Sequence, residues 1–317
     1  MASDVSGKHS TGGVRIVLPT FRRDDALAKT LRRLGEQSRA PVQVLVIDNA
    51  ARPDCRRLCE KLAADLPFIV TYLATDENVG PAGATALGMR HLVPSMCADD
   101  WIGRCDDDSP EISSDHFGRL ARFIETIPNL KTVGAVGTHG ACWDPRRATL
   151  SEKTSSWTGV SEVDYLATGW FPLYRVGAIQ QVGVFRDDLF FGLTEPEYGL
   201  RLRRAGFAVL RLDTGPRPRP QVSRRANAPT WRQFYSNRNR IVLAREYGAP
   251  FAATRVVAAL VVKPLLNMPR QPSLALRSLA WNLRAVYAAM TGRMGRTVEP
   301  RLVSDQLDSR RASRSAG

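Results

Sequence analysis

The sequence is poor in the residues that staple small folds or hold metals by themselves. Its 317 residues include five cysteines and four histidines. An odd cysteine number with no CxxC spacing argues against a disulfide framework or a structural zinc site. Cys55 and Cys59 stand one helical turn apart and read as residues of a helix face. His9, His91, His116 and His139 are scattered without ligand spacing. No GxGxxG follows the first apolar stretch and no GxxxxGK[ST] occurs, so two common glycine-built phosphate cradles are missing. Long apolar runs are missing too: Phe251 to Leu266 is broken by Arg255, Lys263 and Pro264, which excludes a simple membrane span. The N-terminus shows no apolar segment of the signal-peptide kind, which points to the cytoplasm.

Acidic residues are scarce in one part of the chain. Residues 1–200 hold 22 Lys and Arg against 26 Asp and Glu, a net of −4, whereas residues 201–317 hold 23 against 5, a net of +18. Such a basic half suits polyanions, whether nucleic acid, anionic lipid headgroups or pyrophosphates. An apolar content of 44% is ordinary for a globular protein. The length suits one large α/β domain with an elaborated C-terminal part, or two small domains.

What is present is a regular alternation. Residues 1–13 are polar and rich in Gly and Ser, and are expected to be disordered. Val14 to Leu18 reads as a buried strand ended by Pro19-Thr20, and a helix from Asp24 or Asp25 to Leu34 follows. The run VQVLVI (42–47) is a second strand, residues 54–65 a second helix, and Ile69 to Leu73 a third strand. Residues 77–84 feed a helix ending near Leu92, and Trp101 to Cys105 is a fourth strand. Near-continuous apolar strands alternating with helices predict a mainly parallel sheet covered on both faces. Ligands of such sheets bind beyond the carboxyl ends of the strands. Residues 19–23, Asp48-Asn49, 78–84 and 106–108 would therefore share one rim.

The most distinctive rim segment is Asp106-Asp107-Asp108, stopped by Ser109-Pro110. Strand alternation would put Asp106 and Asp108 on one side and Asp107 on the other. Two converging carboxylates favour a hard cation, Mg²⁺ or Mn²⁺, shared with the phosphates of a ligand.

The ordered segments LPTFRR (18–23), VIDNA (46–50), ENVGPAGATALGM (77–89), CDDDSP (105–110), ATGWFPLYR (167–175), LFFGLTEPEYGLRLRRAGF (189–207) and FYSNRNR (234–240) carry a family resemblance. Over roughly residues 14–245 the chain resembles the family 2 glycosyltransferases of the GT-A fold, within them the galactofuranosyl- and rhamnosyl-transferase-like members. The resemblance implies an inverting transfer from a nucleotide-sugar donor, of UDP-galactofuranose or dTDP-rhamnose type, to a lipid-linked or cell-envelope glycan. It assigns Asp48 to the pyrimidine, and Pro19, Thr20, Phe21 and Arg23 to the border of base and phosphates. Asn78, Gly80 and Gly83 would approach the sugar nucleotide with their backbone. Asp106 and Asp107 would meet the donor, and Asp106 and Asp108 the metal. Glu195 matches the catalytic base and Glu197 would support it, with Pro196 pinning the helix entry. The helix is expected over Glu197 to Ala205, with Glu197 also suited to capping its start. Trp170 and Asn239 would line the acceptor site, and Arg238 the donor phosphates.

Two departures stand out. The family mostly carries Asp where this chain has Glu195. Its metal-completing histidine is absent from the stretch after Leu212, where Gln221 or an arginine is the available substitute. An inactive homologue is therefore one alternative, and a basic nucleic-acid-binding protein, supported by charge alone, is another. The transferase domain is expected over residues 14–248, an amphipathic basic helical extension over 249–297, and a disordered tail from 298 to 317. Leu274, Leu276, Leu279, Trp281, Leu283, Val286 and Met290, with Arg277 and Arg284 between them, suit packing on the domain or contact with an anionic membrane. The enzyme is thus expected at the inner face of the cell membrane.

Overall fold

A computed structural model describes residues 13–151, 159–213 and 230–300. The segments predicted to be disordered at either end lie outside these residues, apart from Gly13 and 298–300, as does most of the stretch after Leu212, including Gln221. The described chain forms two compact units. The larger one holds the predicted alternation almost as read: β1 (Arg15–Thr20), α1 (Asp24–Gly35), β2 (Gln43–Asp48), α2 (Pro53–Ala63), β3 (Ile69–Ala74), α3 (Gly80–Leu92) and β4 (Trp101–Arg104), after which comes α4 (His116–Glu125), which was not predicted. It continues with β5 (Val133–Gly137), β6 (Gly140–Asp144), β7 (Thr149–Ser151), β8 (Val160–Glu162), β9 (Tyr165–Leu166), β10 (Leu173–Arg175), α5 (Val176–Val182), α6 (Thr194–Arg204) and β11 (Ala208–Leu212).

Eight strands form one sheet in the order β3-β2-β1-β4-β10-β5-β11-β8. The first four are parallel; β10 enters antiparallel between β4 and β5. Period-two alternation splits the apolar strand residues between two cores. Ile16 and Leu18 pack with Leu27 and Leu31 of α1, while Val17 and Ile47 pack with Ala84 and Met89 of α3. Both faces are covered, which is why these strands carry no polar alternation. A second sheet, β7-β6-β9, stands apart from the main one.

Two strand ends differ from expectation. β1 runs through Pro19 and Thr20 instead of stopping before them, pairing Pro19 with Ile47 and Thr20 with Asp48. The β1–β4 ladder ends at Val17, whose carbonyl accepts from Cys105 N, so on that side Pro19 has no ladder bond to lose. β4 ends at Arg104, because the next residues turn: Ser109 Oγ accepts from Asp106 N at 2.9 Å and Ser109 N donates to Asp106 O at 3.3 Å.

The smaller unit contains α7 (Trp231–Tyr247), α8 (Ala252–Asn267) and α9 (Pro272–Met290), with residues 145–148 and 191–193. α7 thus groups with the C-terminal helices, upstream of the boundary expected at 248. Val298, expected to begin a disordered tail, is held: its carbonyl accepts from Tyr235 Oη at 2.6 Å and its N–H donates back at 3.0 Å.

Candidate active site

The carboxylate turn after β4 is anchored from α1 and β1. Thr30 Oγ1 donates to Asp107 O at 2.7 Å, and Arg33 Nη1 to Ser109 O at 3.1 Å. Asp107 points inward, where Thr20 Oγ1 donates to its Oδ2 at 2.9 Å and Arg23 Nη1 lies 3.2 Å from its Oδ1. Burial raises the Asp107 pKa despite the opposing pull of Thr20 and Arg23. Asp106 and Asp108 stay accessible, with side chains 39% and 58% exposed. The inside–outside division expected from strand alternation therefore holds, but a turn produces it. Asp108 pairs with Arg23, and Asp106 Oδ1 lies 2.5 Å from Arg104 Nη1.

Arg104 is a buried cation in the last strand position of WIGR. Its Nε donates to Thr85 Oγ1 at 3.3 Å. Burial works against its charge, yet Asp106 and Glu195 together outweigh that and keep its pKa above the ordinary arginine value. The guanidinium thus ties the Asp-rich turn electrostatically to the base candidate on α6. Sequence reading passed over Arg104; an arginine inside an otherwise apolar strand was the available signal.

Glu195 lies in the first turn of α6, which starts at Thr194, three residues before the expected Glu197. Proline is tolerated in a first turn because its missing N–H has no intrahelical partner to lose, so Pro196 fits there. Thr168 Oγ1 donates to Glu195 Oε1 at 2.7 Å and Thr194 Oγ1 to Oε2 at 2.9 Å. Glu197 pairs within the helix. It is 1% exposed, and its two oxygens take Arg201 Nε and Nη2 at 3.0 Å each, one helical turn on.

Three consecutive residues connect these parts. Thr168 holds Glu195, a side chain at Gly169 would stand 3.7 Å from Asp106 Oδ2, and Trp170 stacks on His139 with ring centroids 3.6 Å apart and planes 7° apart. His139 lies between β5 and β6, and its Nδ1 is 3.0 Å from Thr138 Oγ1. Thr168 and His139 were missed because their partners are distant in sequence. Trp170 is half-buried, neither core nor free, with one aromatic face already covered by His139.

Other predicted residues are engaged in holding the rim. Asp48 is 1% exposed; it accepts from Ala50 N and Arg52 N at 2.8 Å each and from Tyr72 Oη at 2.9 Å, closing the turn after β2. Asn78 Oδ1 accepts from Gly80 N at 2.9 Å. Gly80 has φ +70°, and a Cβ there would collide with the Phe190 carbonyl; at Gly83 it would come 2.7 Å from the Val79 Cβ. Packing against their own unit demands these glycines. Phe21 is half-buried under the Arg22 guanidinium, 5.3 Å from its ring centre. Pro19 is buried.

Arg238 and Asn239, expected at the donor phosphates and the acceptor site, are held inside the protein. Both are 0% exposed in the smaller unit. Arg238 donates to Gly295 O at 2.8 Å and stacks over Tyr235, while Asn239 Nδ2 donates to Phe191 O and Gly192 O at 3.0 and 2.8 Å. A planar guanidinium and a carboxamide here satisfy loop carbonyls that helix packing buries.

Among the described residues no group of three or more His, Cys, Asp or Glu side chains is arranged to hold a metal alone. Two accessible carboxylates on one turn remain compatible with a hard divalent ion that takes its other ligands from phosphates and water.

The family model for glycosyl transferase family 2 matches residues 15–183. Galactofuranosyltransferase GlfT1 of Mycolicibacterium smegmatis is 31% identical over 204 residues, 60% of this chain and 65% of that protein. GlfT1 of Mycobacterium tuberculosis is 40% identical over 98 residues, 31% of each chain. The match thus spans less than two thirds of either relative. Among solved structures, mannosyltransferase PcManGT from Pyrobaculum calidifontis, in complex with GDP-Man and Mn²⁺, aligns with TM-score 0.53 at 17% identity, covering 87% of this chain and 86% of that one. GalNAc-T7 with UDP, GalNAc and Mn²⁺ gives 0.56 at 11%, covering 93% and 60%. These similarities establish the GT-A fold. The matched span runs from β1 through the carboxylate turn and the Thr168–Trp170 turn and covers more than half of the chain, so the chain belongs to glycosyl transferase family 2.

Proposed function

We propose that the protein is an inverting glycosyltransferase that passes a sugar from a nucleoside-diphosphate donor to a lipid-linked or cell-envelope glycan. The observation that carries this reading is the placement of Glu195. It is a half-buried carboxylate held by two hydroxyls, and Thr168 and Gly169 link it to the Asp106 turn. Inversion needs a base on the face of the sugar away from the leaving diphosphate, and Glu195 takes the proton of the acceptor hydroxyl as that oxygen attacks the anomeric carbon. The bond from the anomeric carbon to the diphosphate breaks as the new glycosidic bond forms. Asp106 and Asp108, with the donor's phosphates, would hold Mg²⁺ or Mn²⁺, which would neutralise charge on the leaving diphosphate. Arg23, half-exposed beside Asp107 and Asp108, is placed to turn toward that same anion. The exposed side of the Trp170–His139 pair offers an aromatic surface for an acceptor sugar. Similarity to GlfT1 supports galactofuranose over rhamnose as the transferred sugar.

The smaller unit supports work at a membrane surface. Of eleven large apolar side chains left exposed in the described residues, eight lie between Phe251 and Met290. Over residues 251–293 the chain carries six cations (Arg255, Lys263, Arg270, Arg277, Arg284, Arg293) and no acid. Exposed aliphatics among cations suit an anionic bilayer interface. No helix of the described residues is long and apolar enough to cross a membrane.

The test is a thermal-shift screen of nucleotide sugars with and without Mn²⁺, followed by transfer to a lipid-linked acceptor and NMR of the product's anomeric configuration. Stabilisation by UDP-galactofuranose and an inverted product are expected. A retained configuration would remove the base mechanism, and indifference to every sugar nucleotide would remove the transferase reading.

A further inference from the structure

α8 contains Pro264 in its interior, and a proline has no N–H to give to the carbonyl four residues back. That carbonyl, of Leu260, is taken instead by Asn282 Nδ2 of α9 at 2.7 Å. Asn282 is 3% exposed and its Oδ1 accepts from Gln233 Nε2 and Asn237 Nδ2 of α7, each at 2.8 Å. One buried carboxamide thus clamps three helices and satisfies the break in the α8 ladder. Above it lies a groove of about 290 Å³ between the three helices.

The mouth of this groove differs from its floor. Lys263, Asn267, Gln271 and Ser278 line it, and none of these side chains has a hydrogen bond or ion pair among the described residues. No carboxylate lines it. Gln271 occupies the N-cap position of the nineteen-residue α9 without a side-chain capping bond, so the positive end of that helix's dipole lies at the same lining. On the flank of α8 next to the lining positions, Leu266 and Val262 are 71% and 47% exposed. One ammonium, several neutral N–H and O–H donors and no acid select a compact anion with several acceptor oxygens. Exposed aliphatics alongside select an anion that carries a chain.

We propose that this groove is a binding site for the phosphate group of a membrane lipid, with Lys263 as counter-ion, Asn267, Gln271 and Ser278 as donors, and the acyl or prenyl chain lying along Val262 and Leu266. The site presupposes the membrane contact proposed above and adds a discrete phosphate pocket to a diffuse basic surface. It holds the protein against lipids whose phosphate is unshielded at the bilayer interface, of which phosphatidic acid is the simplest.

The test uses the full chain, with a soluble short-chain phosphatidic acid and inorganic phosphate as probes, read by isothermal calorimetry at an ionic strength that screens the surface field. Vesicles of phosphatidylcholine with phosphatidylglycerol are pelleted in parallel. Lys263→Gln removes the counter-ion, whereas Arg277→Gln removes an equal charge outside the groove lining. Lys263→Gln is expected to weaken the short-chain lipid about tenfold, the worth of one charge-assisted hydrogen bond, and Arg277→Gln to leave it unchanged. Both variants should lose vesicle pelleting to the same small degree, so failure of membrane contact and failure of the groove are read separately. Ser278→Leu should fill the groove and abolish lipid binding; if it unfolds, Asn267→Asp, which places a carboxylate in the mouth, serves the same purpose. Equal weakening by Lys263→Gln and Arg277→Gln would reduce the site to a diffuse field. Inorganic phosphate binding as tightly as the short-chain lipid would assign the groove to free phosphate and overturn the lipid source.

Discussion

Thr168 Oγ1 donates to Glu195 Oε1 at 2.7 Å, across 27 residues of sequence, and that bond orients the half-buried glutamate of the α6 entry. With Thr194 Oγ1 on Oε2, each carboxylate oxygen has one donor and keeps lone-pair capacity for a substrate proton. The preceding strand β9 pairs with β6 and the following β10 with β4 and β5, so the turn carrying Thr168 is fixed at both ends.

Glu195→Gln keeps the shape of the side chain and removes its proton-accepting charge. Donor affinity should stay near wild type while turnover falls by roughly 10² to 10⁴, the worth of a positioned base. Thr168→Val should lower turnover by about tenfold with little change in donor affinity, and Thr168→Ser should restore it. Release of nucleoside diphosphate in the presence of acceptor measures both. Normal turnover by Glu195→Gln would place the base elsewhere.

Glu197 should behave differently. Its 1% exposed carboxylate takes both Arg201 nitrogens, so Glu197→Gln leaves a mostly buried guanidinium without its counter-charge. A loss of about 3 kcal/mol in urea unfolding is expected, with turnover per folded molecule largely intact. If stability is unchanged and turnover vanishes, the roles of Glu195 and Glu197 are exchanged.

Asp106→Ala and Asp108→Ala should each abolish the divalent-dependent part of nucleoside-diphosphate binding while the fold survives, because both side chains are substantially exposed. Calorimetry with and without Mn²⁺ reads this directly. Wild-type affinity in either variant would end the metal assignment for that residue.

His116 gives the fold an acid-sensitive point. Burial lowers its pKa from 6.5 to about 4, partly offset by its hydrogen bond to the Phe171 carbonyl, while Arg119 adds to the lowering. A depressed histidine pKa means the unfolded chain takes up the proton first. Stability is therefore complete above pH 6.5 and falls as pH drops toward 4, by about 3 kcal/mol at most from this residue. Urea unfolding between these pH values should show a shallower slope for His116→Phe; an unchanged slope would show that His116 does not carry it.

Much of the larger unit was readable in advance. The apolar runs of β1, β2 and β4 and the spacing of Leu27, Leu31 and Leu34 are local patterns, and local patterns survive folding when they agree with the sheet they build. The misread end at Pro19 depended on how far a neighbouring strand extended, and the one at Arg104 on the turn closed by Asp106 and Ser109. The start of α6 at Thr194 depended on a proline that helices accept in the first turn.

Side-chain partners were the part that could not be read locally. Arg238 and Asn239 look like ligand contacts in FYSNRNR and are buried, because α7 packs with α8 and α9 and loop carbonyls need donors there. Glu197 reads as a cap, but its neighbour one turn on is an arginine and both settle into a pair. Pattern along the chain was enough for the first four strands with the helices between them, the rim at their ends, the Asp-rich turn and the basic character of the C-terminal third. All of these follow from periodicity and composition along the chain. Folding in three dimensions settled which rim carboxylates stay accessible, that Arg104 pairs with Asp106 and Thr168 with Glu195, that Trp170 lies on His139, and that Asn282 takes the carbonyl freed by a proline in α8. Apart from the Arg104–Asp106 pair, these join residues far apart in sequence, and which of them meet is set by sheet order and helix packing.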